Sequence, residues 1–178
     1  MEYLTQFESP LGNLYITANE VGLTGVAFEQ DKGNRLPVDL NNLKYSDNQP
    51  VLMDAKLWLS LYFFGSVPDF LPDFSLKGTD FCKQVWKIVE KIPYGSSMTY
   101  GEIANLVAKQ RGTKASPQAV GNAVAKNPIA IIIPCHRVLA AGFGIGGYSA
   151  GLTRKRYLLE LEHIEYRNGH IQDANTIG

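Results

Sequence analysis

A change of hydrophobic period partway along the chain limits it to a two-part fold of mixed class. Up to Phe28 the β-forming residues come in short runs broken by turn residues: 3–7, the turn Ser9-Pro10-Leu11-Gly12, 14–18, and 23–28 after Gly22. Runs of this kind predict an antiparallel meander. Residues 31–50 are polar and aperiodic and read as loop. Beyond them Leu52, Ala55, Leu59 and Tyr62 recur at helical spacing, which predicts a helix ending at Gly65. Residues 66–78 carry Pro68 and Pro72 and no sustained period, so the domain boundary is expected there: one domain over 1–76, a second over 77–166, and a polar tail over 167–178.

The second part reads as helices with clear start signals. Thr79 or Asp80 caps a helix with Phe81, Val85, Ile88 and Val89 on one face, stopped by Pro93-Tyr94-Gly95. Thr99-Tyr100-Gly101-Glu102 is a capping box, in which the Thr hydroxyl and the Glu carboxylate each satisfy a free backbone N–H. Ile103, Leu106 and Val107 form the expected buried stripe of that helix. Ser116-Pro117 supplies an N-cap and a first-turn proline for a shorter helix with Val120, Ala123 and Val124 facing inward, ending by Asn127-Pro128. Two short helices joined by a compact turn are compatible with a helix-turn-helix whose second helix enters a DNA groove, although helix pairs are common.

Charge distribution bears on the partner. The formal net charge is zero, but residues 1–78 hold five Lys/Arg against ten Asp/Glu, whereas residues 79–167 hold twelve against six. A basic C-terminal half suits a polyanion, and scattered surface charge is the competing explanation. Two cysteines, Cys82 and Cys135, are too few for a disulfide framework, and no Cys/His cluster has metal-ligand spacing. The first residues lack a basic stretch followed by an apolar one, and no apolar run approaches the ~20 residues that span a bilayer. A soluble, unsecreted protein with free thiols and no membrane partner is therefore expected.

The chemistry is concentrated after residue 128. Residues 129–133 are apolar and mostly β-branched, read as a buried strand or extended segment, and deliver Pro134-Cys135-His136-Arg137-Val138. Buried cysteines are usually inert packing. Cys135 has neighbours that argue otherwise, because a thiolate nucleophile needs a base or positive charge nearby, and His136, Arg137 and a carboxylate such as Glu162 can supply them. Adjacent residues of an extended chain point to opposite sides, so a Cys–His contact requires a turn or a bridging water.

Asn127-Pro128, the apolar run, Pro134-Cys135-His136-Arg137-Val138, Gly146-Gly147-Tyr148-Ser149 and Leu158-Leu159-Glu160-Leu161-Glu162 resemble, in order and spacing, the O6-alkylguanine-DNA alkyltransferases, also called methylated-DNA–protein-cysteine methyltransferases. The likeness runs from about Phe81 to Glu162 and includes Val85, Trp86, Ile92-Pro93 and Tyr100-Gly101. It implies an α+β fold: an N-terminal ribonuclease-H-like antiparallel sheet with a helix, and a mostly helical, winged-helix-like DNA-binding domain. It implies that Cys135 accepts a methyl or other alkyl group from O6-alkylguanine in DNA, with O4-alkylthymine as a second candidate, once per molecule. His136 would deprotonate it through a water, Glu162 would orient the imidazole, and Asn127 would support the turn that presents the sulfur. Tyr100, Val138, Tyr148 and Ser149 would hold the flipped base, and Thr99, Ser116, Gln118 and Arg137 would meet the DNA. The resemblance further implies no cofactor, no metal, a monomer, and a cytoplasmic location, or a nuclear one in a eukaryote. The sequence departs from the family at Gln118, where an arginine is usual; glutamine brings no charge, so weaker DNA affinity or flipping is expected.

Other assignments compete. The run Gly142-Phe143-Gly144-Ile145-Gly146-Gly147 formally contains GxGxxG, but a dinucleotide site needs a strand leading straight into the turn, so a flexible loop or wing is the better reading. Arg154, Lys155 and Arg156 read equally as phosphate contacts or as a solvated helix face. A cysteine hydrolase using Cys135, His136 and Glu162 would turn over an ester or peptide repeatedly. A DNA-binding sensor would bind alkylated DNA without labelling Cys135.

Overall fold

A computed structural model describes residues 1–29, 31 and 40–167. These divide into two compact units, Met1–Thr79 together with Pro128–Ile133, and Asp80–Asn127 together with the chain from Pro134 onward. The expected polar tail after Arg167, His170 included, lies outside the described residues, as do residues 32–39 of the loop expected between residues 31 and 50.

In the first unit the expected meander forms as β1 (Glu2–Ser9), β2 (Gly12–Ala18) and β3 (Leu23–Phe28), each antiparallel to the next. Ser9 and Gly12 close the first hairpin, with the Ser9 hydroxyl accepting from the Leu11 N–H and donating to the Gly12 carbonyl. A short fourth strand, β4 (Leu43–Tyr45), lies parallel to β1, giving the order β3-β2-β1-β4 and making the sheet mixed. It falls in a stretch too polar and too short to be read as a strand. Helix α1 (Pro50–Phe63) buries Leu52, Ala55, Trp58, Leu59 and Tyr62. Its end follows from Gly65 at φ +92°: the Gly65 N–H reaches the Tyr62 carbonyl and the Ser66 N–H reaches that of Leu61, the paired bonds of a Schellman motif.

The segment 128–133 was expected to be extended. Only its first residues behave so, with a bridge between Val26 and Ile129 flanked by Val26 N–H to the Pro128 carbonyl and Ala130 N–H to the Val26 carbonyl. Ile131 then adopts φ +69°, and the Ile132 N–H closes on the Ala130 carbonyl in a three-residue turn. β-branched propensity is overridden by burial: Ile129, Ile131 and Ile133 are all fully buried, and that apolar anchoring outweighs a left-handed conformation costing on the order of 1–3 kcal/mol.

The second unit holds α2 (Asp80–Glu90), α3 (Tyr100–Arg111), α4 (Pro117–Ala125) and α5 (Leu152–Leu161), with a two-residue parallel pairing of β5 (Met98–Thr99) and β6 (Val138–Leu139). On α2 the buried face is Cys82, Val85, Trp86, Ile88 and Val89; Phe81, expected among them, is half-exposed under the Arg111 guanidinium at 5.5 Å. The Trp86 Nε1–H donates to the Ala123 carbonyl and fastens α2 to α4. The capping box at Thr99 and the Ser116 cap are both formed, and Gly112 at φ +71° ends α3. The buried stripe of α3 is Ile103, Ala104 and Val107, while Leu106 turns outward with 40% of its surface exposed.

The glycine-rich loop is pinned rather than loose. Ala140 N–H bonds the Gly144 carbonyl, Ile145 N–H that of Arg167, and Arg167 N–H that of Phe143, while Ile145 packs with Leu139, Leu159 and Ile164. What leads to it is the 3-10 turn Cys135–Arg137 and the two-residue β6, followed by a second 3-10 turn at Ala141–Phe143 instead of a long strand running straight into a helix, so the dinucleotide reading lacks its scaffold.

Candidate active site

The 3-10 turn is what lets two adjacent residues serve one site. In an extended chain Cys135 and His136 would face apart; in the turn, closed by the Arg137 N–H on the Pro134 carbonyl and the Val138 N–H on the Cys135 carbonyl, both side chains are buried within the second unit. Asn127, at the end of α4, donates its amide to the Cys135 sulfur. The thiol in turn lies 3.6 Å from the Val124 carbonyl, to which it donates. At the resting sulfur the Asn127 amide thus favours the thiolate and the Val124 carbonyl favours the thiol.

Glu162, one residue past α5, gathers the other side of the site. Its Oε2 meets His136 Nε2 at 2.5 Å, and its Oε1 accepts from Arg137 Nε at 2.7 Å and from the Gly95 N–H at 3.1 Å. Burial opposes its charge, but His136 and Arg137 outweigh burial and hold its pKa down at about 2. An ionised carboxylate accepts only, so the proton between the pair sits on Nε2 and leaves Nδ1 with its lone pair. Complete burial pushes the His136 pKa down despite Glu162, which keeps the ring neutral and able to take a proton.

Above the sulfur is a cavity of about 160 Å³, lined by Tyr100 at the start of α3, Gly121, Val124 and Ala125 of α4, Cys135, and Gly147, Tyr148 and Ser149. Two glycines shape it around one ring. A Cβ on Gly146 would lie 3.4 Å from Tyr100 Cε2, and one on Gly121 would lie 3.8 Å from Cδ1. Burial, then the proximity of Cys135, raises the Tyr100 pKa, so its hydroxyl keeps its proton. The cavity is mostly apolar and carries two phenols, Tyr100 and Tyr148, the Ser149 hydroxyl and one sulfur, a lining that suits a small aromatic base.

Cys135, His136, Asn127, Glu162, Tyr100, Tyr148 and Ser149 therefore converge as the sequence suggested. Three expectations are corrected. Arg137 cannot serve as a DNA contact in this fold: it is 7% exposed, its guanidinium is engaged by Glu162 and by the Ile92 carbonyl at 2.7 Å, and it lies 5.7 Å from the Tyr94 ring. Val138 does not line the cavity, because its N–H bonds Cys135 and its carbonyl accepts from Lys155. Lys155 is not on a solvated face; it is completely buried, donating to the carbonyls of Val138 at 2.7 Å and Gly147 at 3.0 Å. Helical period alone cannot distinguish a lysine aimed inward from one aimed out. Thr99 and Ser116 spend their hydroxyl oxygens as helix caps, and Gln118 is exposed in the first turn of α4. Among the described residues no group of three or more His, Cys, Asp or Glu could hold a metal, and no helix is long and apolar enough to cross a membrane.

A buried cysteine with an oriented imidazole, under a base-sized slot on a helix-turn-helix, defines a cysteine-nucleophile protein of the DNA-handling class. Comparison with known proteins narrows this. The family model of the 6-O-methylguanine DNA methyltransferase DNA-binding domain matches residues 80–164, and that of the ribonuclease-like domain matches residues 3–71. A methylated-DNA–protein-cysteine methyltransferase of Mycobacterium bovis is 49% identical over 162 residues, covering 91% of this chain and 93% of the relative. One from Methanosarcina acetivorans is 39% identical over 160 residues, covering 90% and 97%. The crystal structure of the Mycobacterium tuberculosis protein in complex with DNA superposes with a TM-score of 0.78 at 35% identity, covering 90% and 93%. The chain belongs to the methylated-DNA–protein-cysteine methyltransferase family.

Proposed function

We propose that this protein repairs DNA by moving a methyl or other alkyl group from O6 of guanine to the Cys135 sulfur, once per molecule. The observation that carries this reading is the buried cluster of Asn127 on the Cys135 sulfur and Glu162 on the adjacent His136, with Cys135 and Tyr100 lining one cavity. An alkylated oxygen inside a stacked duplex gives a buried sulfur no in-line approach, so the base must leave the helix to react. In the reaction His136, through a water, takes the thiol proton and Glu162 stabilises the imidazolium. The sulfur forms a bond to the alkyl carbon as the carbon–O6 bond breaks, and the electron pair passes into the purine. Tyr100 donates toward the ring nitrogen that gains charge, and the base leaves as ordinary guanine with one proton gained. The thioether has no electrophilic carbonyl for water to attack, so the protein is consumed.

The same reading assigns the exposed first turn of α4, with Ser116 and Gln118, and Thr99 at the start of α3 to the DNA backbone and the vacated stack. Tyr148 and Ser149 line the base slot, with O4-alkylthymine a second substrate to test. It takes residues 1–76 and 77–166 as the working domains, and a monomer in the compartment that holds DNA, the cytoplasm for bacterial or archaeal cells. Intact-mass measurement after incubation with duplex DNA containing O6-methylguanine tests it. A gain of one methyl group, absent in Cys135→Ser, supports the transfer; unchanged mass in reduced, folded protein, or a free methyl product with repeated turnover, defeats it.

A further inference from the structure

Lys155 has no part in the chemistry described so far, yet it is the most deeply buried cation among the described residues. An ammonium taken out of water is costly unless charge or hydrogen bonds compensate it. Two of its three N–H donors are used by the carbonyls of Val138 and Gly147. Those two carbonyls are not equivalent points of the fold. Val138 directly follows the turn that carries Cys135, and Gly147 opens the Gly147-Tyr148-Ser149 wall of the slot. One side chain from α5 therefore ties the nucleophile's turn to the wall facing it.

The charge is equally pointed. Around the site the titratable or charged groups are Tyr100 from α3, His136 and Arg137 from the cysteine turn, Tyr148 from the slot wall, and Lys155 and Glu162 from α5 and its end. Glu162 and Arg137 form a salt bridge at 2.7 Å that balances both, and His136 and Tyr100 are neutral. Lys155 forms no ion pair with any described carboxylate. Its ammonium is bonded to the residue that ends the Cys135 turn, and while burial lowers the Lys155 pKa to about 8, the nearby charge on Cys135 raises it. Because coupling of this kind is reciprocal, Lys155 must favour the ionised sulfur as much as the sulfur favours the ammonium.

We propose that Lys155 is a positioning residue and counter-charge, bracing the cysteine turn against the slot wall and stabilising the Cys135 thiolate that forms when the proton leaves for His136, until alkylation removes the negative charge. His136 receives the proton and Lys155 keeps the anion that remains, which opposes the pull of the Val124 carbonyl toward the neutral thiol. Alkylation leaves a neutral thioether, and the buried ammonium then loses its counter-anion. The sensitivity of Lys155 to the state of the sulfur is thus built into the site.

The inference deepens the transfer reading, but its test does not need DNA. Iodoacetamide labelling of Cys135 is followed as a function of pH, with peptide mass separating it from Cys82, in the full-length protein and in Lys155→Met, Lys155→Arg and a control, Lys126→Met, on the surface. Lys155→Met is expected to raise the apparent pKa of Cys135 labelling by about one to three units and slow labelling at pH 7 at least tenfold, with Lys155→Arg intermediate. An unchanged profile in folded Lys155→Met overturns the proposal even if methyl transfer is real, and a wild-type protein that gains no methyl group from O6-methylguanine DNA while Lys155→Met still shows the shifted profile overturns the transfer reading instead. Should Lys155→Met not fold, nitrogen NMR of the wild-type Lys155 ammonium decides: its pKa should fall on S-methylation of Cys135, and no change refutes the coupling.

Discussion

The carboxylate of Glu162 and the imidazole of His136 meet at 2.5 Å with neither side chain exposed to solvent. Since the same carboxylate also takes Arg137 and the Gly95 N–H, removing its charge strands three partners at once. Glu162→Gln should cost about 3–5 kcal/mol of stability, the range for breaking a buried pair, and slow transfer by about 10²-fold or more. Thermal unfolding and single-turnover kinetics at saturating DNA measure the two effects separately.

Acid should unfold this protein early. Glu162 is held at about 2 against an ordinary 4.5, so its stabilisation is complete above 4.5 and is lost as the pH falls toward 2. His136 is also lowered, so below about 6.5 the unfolded chain takes up a proton that the folded chain refuses, and stability again falls with pH. The two slopes have one sign. Urea midpoints should drop progressively from pH 7 to pH 3, and His136→Phe or Glu162→Gln should flatten the curve in its own window.

Asn127→Ala removes the amide that donates to the Cys135 sulfur from a side chain only 9% exposed. Stability should fall by roughly 1–3 kcal/mol, with transfer reduced at least tenfold because the turn loses its anchor. Differential scanning calorimetry and the pH dependence of Cys135 labelling check this.

Gly146→Ala would place a methyl 3.4 Å from the Tyr100 ring and 3.5 Å from its hydroxyl, at a backbone φ of +68°. The left-handed conformation alone costs about 1–2 kcal/mol, and the ring must give way. Transfer should fall more steeply than in Tyr100→Phe, which loses the hydroxyl and keeps the ring in place; rates for the two variants on one DNA substrate give the comparison.

Gln118→Arg adds a cation to the exposed first turn of α4. Affinity for DNA should rise and the slope of log Kd against log salt should steepen by about one if the new charge meets a phosphate. Fluorescence anisotropy at three salt concentrations reads both.

Much of this site was legible because its signals are local. The Thr99 and Ser116 caps, the Gly65 stop, and the buried Val120, Ala123 and Val124 all depend on spacing within one element, and all formed. The Pro-Cys-His-Arg-Val block marked the buried cysteine turn, and Glu162 the distant carboxylate that bonds its His136. What failed depended on which way a side chain turned in three dimensions. Leu106 faces out, Phe81 is half-exposed, and the β-branched run at 129–133 turns at Ile131 because apolar anchoring prevails over strand propensity.

The sequence by itself determined the two-part division of strands and helices, the helix starts, and the residue types available to the reaction. Only tertiary structure decided what the charged residues would be used for. Arg137 and Lys155 look alike as basic surface residues on paper, but each is buried where a carboxylate, a row of carbonyls or a sulfur can compensate its charge. A charge is tolerated away from water only where partners from other elements converge on it, and that convergence is a property of the packed chain that no single stretch of residues contains.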